Sequence, residues 1–162
     1  MDNRFNKIIP NIYFITYGND NFEKARERIV KEAEEFNEFY EINGYKPENI
    51  PEYYKKKFNK LLKDKKGGGW WIWKYIMIKK KIDEMNDGEI LIYFDAGGTI
   101  NNKAKKRFYE YIFLLLHSDD GLLSFQMDGS LPGPNNKHLE YEYTTKQTFQ
   151  YFKDDITKNM LN

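Results

Sequence analysis

The run 89–94, EILIYF, is apolar on both faces of its pleat through the middle and stops at Asp95, which Ala96, Gly97 and Gly98 follow. Successive side chains of a strand point to opposite faces, so a strand apolar on both must be covered on both. That is the situation of a parallel sheet between helices. The run therefore argues for a layered α/β fold, and the rest of the chain alternates accordingly. The β-branched and aromatic stretch Ile12–Tyr17 (IYFITY), closed by Gly18, Asn19 and Asp20, predicts a first strand. Asp20 and Glu23 have the spacing of a capping box, and Phe22, Ala25, Ile29, Ala33 and Phe36 recur at helical spacing behind them. A second short strand is expected at 39–42. A helix starting at Pro51 then turns Phe58, Leu61 and Leu62 inward and is ended by the glycines 67–69.

The next helix carries Tyr75, Ile78, Ile82 and Met85 on one face and stops near Asn86, Asp87 and Gly88, just before the opening strand. Asn101 or Asn102 suits the cap of a helix with Ala104, Phe108, Ile112 and Leu115 inward. A strand at 121–127 (GLLSFQM) and a helix from Thr144 through Phe149 and Phe152 complete the pattern. The expectation is a single α/β domain over 1–162, with a mostly parallel sheet flanked by helices.

Composition narrows the function classes. A chain of 162 residues with 40% apolar content can bury the core of one domain. The 26 Lys and Arg are dispersed among 25 Asp and Glu, a net charge of +1, so the electrostatic footprint of a nucleic-acid binder is missing. Without cysteine, disulfides, zinc–thiolate sites and thiol catalysis drop out together, which fits a reducing compartment. The start lacks the basic-then-apolar layout of a secretory signal, and no apolar run approaches the roughly 18 residues of a membrane span. A soluble, cytoplasmic protein is expected.

In open α/β sheets ligands bind beyond the carboxyl ends of the strands, which makes Asp95 the first candidate. It either opens an Asx-type turn, with Gly97 and Gly98 supplying positive φ, or aims a carboxylate at a metal or phosphate. The glycines serve both readings, since they also let a ligand approach the backbone. Phosphatases of the haloacid dehalogenase type end a strand in Asp-x-Asp-Gly-Thr, where the first acid is the nucleophile. Here the second acid is replaced by Gly97.

Four blocks in order carry a longer resemblance: ITYG (15–18), GGGWWIWKYIMIKKKIDEMNDGEILIYFDAGGTIN (67–101), GLLSFQM (121–127) and EYEYTTKQTFQYF (140–152). Over 12–152 the chain resembles a family of GT-A-like glycosyltransferases of large DNA viruses and bacterial surface-polysaccharide loci. The resemblance implies a Rossmann-like GT-A sheet and a UDP- or GDP-linked sugar donor. It puts Thr16, Tyr17, Gly18, Trp70, Lys74 and Gly97 at the donor nucleotide. It also makes Asp95 the first acid of a degenerate Asp-x-Asp motif that would hold Mn²⁺ or Mg²⁺ with the diphosphate. Glycines ahead of a helix would expose N–H groups to the diphosphate, and Lys74 would add charge. Of Trp70, Trp71 and Trp73, at least one has to lie off the core. Glu140 is the candidate to bind the acceptor hydroxyl or act as base, or is a solvated charge beside Glu142; Asp128 and His138 are weaker candidates.

Family members continue beyond the helix through Phe152, so the resemblance describes a C-terminally short member. The expected function is transfer of a sugar from a nucleotide sugar to a saccharide or protein acceptor. The alternative is a non-catalytic, transferase-like module that binds nucleotide or another protein.

Overall fold

The computed structural model describes residues 10–124. Its contacts divide the chain into two compact units, Met1–Arg107 and Phe108–Asn162. In the first unit the elements run β1 (Ile12–Tyr17), α1 (Glu23–Phe36), β2 (Glu41–Tyr45), α2 (Glu52–Lys57), α3 (Asn59–Leu62), α4 (Gly67–Trp70), α5 (Ile72–Ile82) and β3 (Ile90–Tyr93). The three strands form one sheet in the order β2-β1-β3, parallel throughout. The central strand pairs Phe14 with Ile42 on one side and with Ile92 on the other. All six of its residues are buried, as a strand between two neighbours and two layers must be.

Helices cover both faces. On one face Phe14 packs with Ile29 and Ala33 of α1, joined by Phe39, Ile42, Ile92 and Ile100. On the other, Ile15 and Tyr17 pack with Trp73, Ile76 and Met77 of α5, together with Tyr45 and Ile50. The fold is thus mixed α/β, with a three-stranded parallel sheet flanked by helices.

Local details depart from the sequence reading in instructive ways. The Asp20–Glu23 capping box does not form. Instead Asp20–Phe22 is a short 3-10 turn without a side-chain cap, and α1 begins at Glu23. Ile29, Ala33 and Phe36 are buried as expected, but Phe22 is exposed and Arg26 takes the next core position. The Arg26 guanidinium is buried because Nη1 donates to the Gly18 carbonyl at 2.9 Å while Glu23 lies 3.6 Å away. The second strand runs two residues later than expected, through Asn43 and Gly44.

On α5 the core stripe is Trp73, Ile76, Met77 and Lys81, while Tyr75 and Ile82 are exposed. The run WWIWKYIMI is apolar nearly all round, so its spacing does not single out one face, and the buried face includes a lysine. Lys81 reaches this position by laying its stem along the core, with Nζ 4.5 Å from the Tyr13 ring centre and 2.7 Å from Glu41 Oε2.

A helix α6 (Lys105–Leu116) leads into the second unit, and Asn101 caps the turn before it by accepting from the Lys103 N–H. Within that unit Ile112 is buried, and Phe108 and Leu115 share its less exposed side. Residues 121–124 form no strand; the remainder of the expected 121–127 strand and the helix from Thr144 lie outside the described residues.

Candidate functional site

Because the strands are parallel, their carboxyl ends share one edge of the sheet. β1 delivers Tyr17, Gly18 and Asn19 there, β2 delivers Tyr45 and Lys46, and β3 delivers Phe94 and Asp95. Helix α5 starts at the same edge, since it must run back across the sheet before β3 begins. Its first turn carries Trp73 and Lys74.

Lys74 and Asp95 meet there. Lys74 Nζ lies 3.1 Å from Asp95 Oδ1 and 3.4 Å from Oδ2. The Tyr93 hydroxyl donates to Asp95 Oδ1. Tyr93 precedes Asp95 by two residues, which is the spacing that brings side chains to the same face of an extended chain. Burial, and then the Asp95 carboxylate, push the Tyr93 phenol far above its ordinary range, so it stays a donor at any working pH. Lys74 Nζ also stands 4.9 Å from the Tyr93 ring centre and 5.9 Å from that of Trp73. The result is a solvent-accessible ammonium backed by aromatic rings and held by one carboxylate.

Beside this cluster the Tyr17 and Trp73 rings stack, with centres 4.1 Å apart and planes 13° from parallel. Burial, with a smaller contribution from Glu48, raises the Tyr17 phenol to about 12. Trp73 Nε1 donates to the Gly67 carbonyl at 2.9 Å, which ties the glycine segment to the same edge. Asn19 Nδ2 approaches to 3.6 Å of the point where a Gly68 Cβ would stand. Sheet end, glycine segment and Asp95 therefore meet at one edge.

Two expectations about the site need correction. The amides of residues 68–71 in the glycine segment are not free. Its residues 67–71 all have positive φ, from 53° to 99°, and form a left-handed turn. Inside it the N–H of Gly69 donates to Lys66 O at 3.2 Å, that of Trp70 to Lys66 O at 2.7 Å and that of Trp71 to Gly67 O at 3.3 Å. Glycine is needed because a Cβ at Gly69 would stand 2.9 Å from the Leu62 Cα, and one at Gly67 would enter the Trp71 ring. Nor do Gly97 and Gly98 adopt positive φ. Gly98 is required for space instead, since its Cβ would fall on the Phe94 ring, whereas Gly97 faces nothing within 4 Å.

The other candidates distribute as follows. Strand alternation turns Thr16 toward the face covered by α1, opposite to Tyr17. Thr16 is 1% exposed, and its hydroxyl has no hydrogen-bond partner among the described residues. Trp73 is in the core, while Trp70 and Trp71 are about half exposed, so the three tryptophans divide as expected. Trp70 is engaged away from the Asp95 cluster, with Nε1 donating to Asp64 at 2.7 Å and Lys66 Nζ 4.2 Å above its ring. Glu140, Asp128 and His138 lie outside the described residues.

The structure adds two residues that sequence reasoning missed. Arg28 of α1 reaches across to the loop after Asp95, where its Nη2 donates to Ala96 O at 3.2 Å and Gly98 O at 2.7 Å, and its Nη1 to Thr99 Oγ1 at 3.2 Å. Glu32 receives Arg28 Nη1 at 2.5 Å and the Ile100 N–H at 2.8 Å. Burial pushes the Glu32 carboxyl up, but the Ile100 N–H and Arg28 together outweigh it and hold it below its usual value. The pair thus clamps the loop that carries Asp95. In the sequence it looks like any i, i+4 ion pair on a helix surface.

A hard divalent cation takes about six or more oxygen ligands, which for Mg²⁺ beside a nucleotide are one or two carboxylates, phosphate oxygens and waters. No group of three or more His, Cys, Asp or Glu occurs among the described residues, and both Asp95 oxygens face an ammonium. No helix among the described residues is long and apolar enough to cross a membrane. Comparison with protein-family models, with curated proteins and with solved structures gives no match.

Proposed function

We propose that the carboxyl edge of the sheet binds a nucleotide sugar and that the protein transfers its sugar to an acceptor hydroxyl. The observation that carries this reading is the placement of Lys74, Asp95 and Tyr93 beside the Tyr17–Trp73 stack at the edge where parallel sheets bind ligands. Lys74 supplies positive charge for a diphosphate, and the exposed Phe94 next to Asp95 offers aromatic surface to a base or sugar ring. In the transfer the bond from the sugar's anomeric carbon to the diphosphate oxygen breaks, and a bond from that carbon to the acceptor oxygen forms. The nucleoside diphosphate leaves with the bonding electron pair, and the acceptor proton passes to a base, for which Glu140 is the sequence's candidate. Stabilising the leaving diphosphate is the largest contribution asked of this edge. The acceptor is a saccharide or a protein.

The test is thermal unfolding with a panel of UDP- and GDP-sugars, followed by assay of nucleoside diphosphate release. A ligand that binds only the folded chain raises its melting temperature. A shift with UDP- or GDP-linked sugars and release on adding acceptor supports the transferase. A shift without release supports the non-catalytic nucleotide-binding module, and no shift with any of them refutes both.

A further inference from the structure

We propose that Lys74 is the resident cation of this site, so that the diphosphate of the donor is bound without a divalent metal. This rests on the nucleotide-sugar reading and goes beyond it, because a carboxylate at the end of a sheet strand is equally suited in principle to hold Mg²⁺ or Mn²⁺.

Three observations point the other way here. Both oxygens of Asp95 lie within 3.1–3.4 Å of Lys74 Nζ, and Oδ1 accepts the Tyr93 hydroxyl as well. A metal would have to displace an ammonium that is already in place. Next, the position where a second acid would stand is Gly97, with no atom within 4 Å of its missing side chain. The described residues form no group of three or more His, Cys, Asp or Glu, so an incoming ion would depend on the nucleotide and water for most of its shell.

Last, Lys74 is fixed and yet reachable. Its side chain is 36% exposed, the Tyr93 and Trp73 rings limit its swing, and it belongs to the first turn of α5, where the helix dipole adds positive potential. An ammonium has three donors, so it can keep Asp95 with one and offer the others to phosphate oxygens. Asp95 then holds the ammonium in position, and Tyr93 holds Asp95.

The experiment is calorimetric titration of the full chain with UDP and with GDP, once in EDTA and once in excess Mn²⁺. The expected result is binding in EDTA, within about twofold of the affinity in Mn²⁺. Binding that needs Mn²⁺, or weakens by about tenfold or more in EDTA, overturns the inference while leaving the nucleotide-sugar reading intact. No binding in either buffer overturns both. Lys74→Met provides a second readout, since loss of a charge-assisted contact is expected to weaken binding in EDTA by about 10- to 100-fold. Lys74→Arg should keep most of the affinity. Lys74→Met also frees the Asp95 carboxylate, so Mn²⁺ should restore part of the affinity there, and Lys74→Met combined with Asp95→Asn should abolish that restoration. Unchanged binding in Lys74→Met would overturn the inference.

Discussion

Removing the Arg28 guanidinium tests whether the loop carrying Asp95 is held by α1. In Arg28→Ala the Ala96 and Gly98 carbonyls and the Thr99 hydroxyl lose their donor, and Glu32 loses its cation. A hydrogen bond to a charged group contributes about 1.5–3 kcal/mol when well enclosed. The Arg28 side chain is 40% exposed, so water replaces much of what is lost, and its ion pair with Glu32 counts for less than 1 kcal/mol. Only the 2.7 Å bond to Gly98 is short, the bonds to Ala96 and Thr99 being 3.2 Å. Together these contacts come to about 1–2 kcal/mol, or roughly 2–8 °C in melting temperature for a chain of this size. The loop effect is separable from global stability by titrating UDP or GDP well below the melting range, where Arg28→Ala should bind several-fold more weakly although Arg28 touches neither Lys74 nor Asp95. Arg28→Lys, which can reach one carbonyl but not three acceptors, should fall between. If Arg28→Ala melts and binds like the parent, the clamp holds nothing and the reasoning fails.

Gly69→Ala should destabilise the fold by about 2–3 kcal/mol in urea titration, because φ of 99° and the Leu62 backbone at 2.9 Å both oppose a side chain. Gly97→Ala, with open space and no positive φ, should stay within about 0.5 kcal/mol, and equal costs at the two positions would contradict the geometry. Acid should destabilise the fold through Glu41 and Glu32. The Lys81 ammonium holds the Glu41 carboxyl below its ordinary value of 4.5, and Glu32 is likewise depressed. The unfolded chain then binds more protons, so this stability is present in full above about pH 5.5 and lost as pH falls through 4.5 and below. Glu41→Gln combined with Glu32→Gln should flatten the decline between pH 5 and 3 in a urea series, and an unaltered slope would rule these groups out.

What the sequence discloses about this fold follows from whether a residue's role is local. β1 and β3 were readable because a strand buried on both faces has to be apolar on both, and Asp95 stood out because it ends one of them. The face of α5 was not readable, since an all-round apolar run leaves its orientation to tertiary packing, and Lys81 shows that a charged head does not keep a long stem out of the core. Nor could spacing alone reveal that Lys74 meets Asp95 across 21 positions, or that Arg28 spans about 70 to reach Gly98. The convergence of strand ends on one edge was inferable, because it needs only parallel strands. The partners that modify Asp95 were not, because they depend on side-chain reach after the elements have packed.

The turn through residues 67–71 has a consequence for chirality. Its backbone winds in the sense that D-residues favour, yet Trp70 and Trp71 are L-residues with φ of 53° and 58°. Each of them holds a conformation that costs about 1–2 kcal/mol relative to the right-handed one. The opposing contribution comes from outside the turn, through the Trp73 indole on the Gly67 carbonyl, the Tyr17 ring stacked on Trp73 and the Asp64 carboxylate on the Trp70 indole. A peptide cut from this stretch would have only part of that support and would revert to right-handed or extended backbone. Its mirror-image winding is imposed by β1 and α5, and it lasts only while they stay packed.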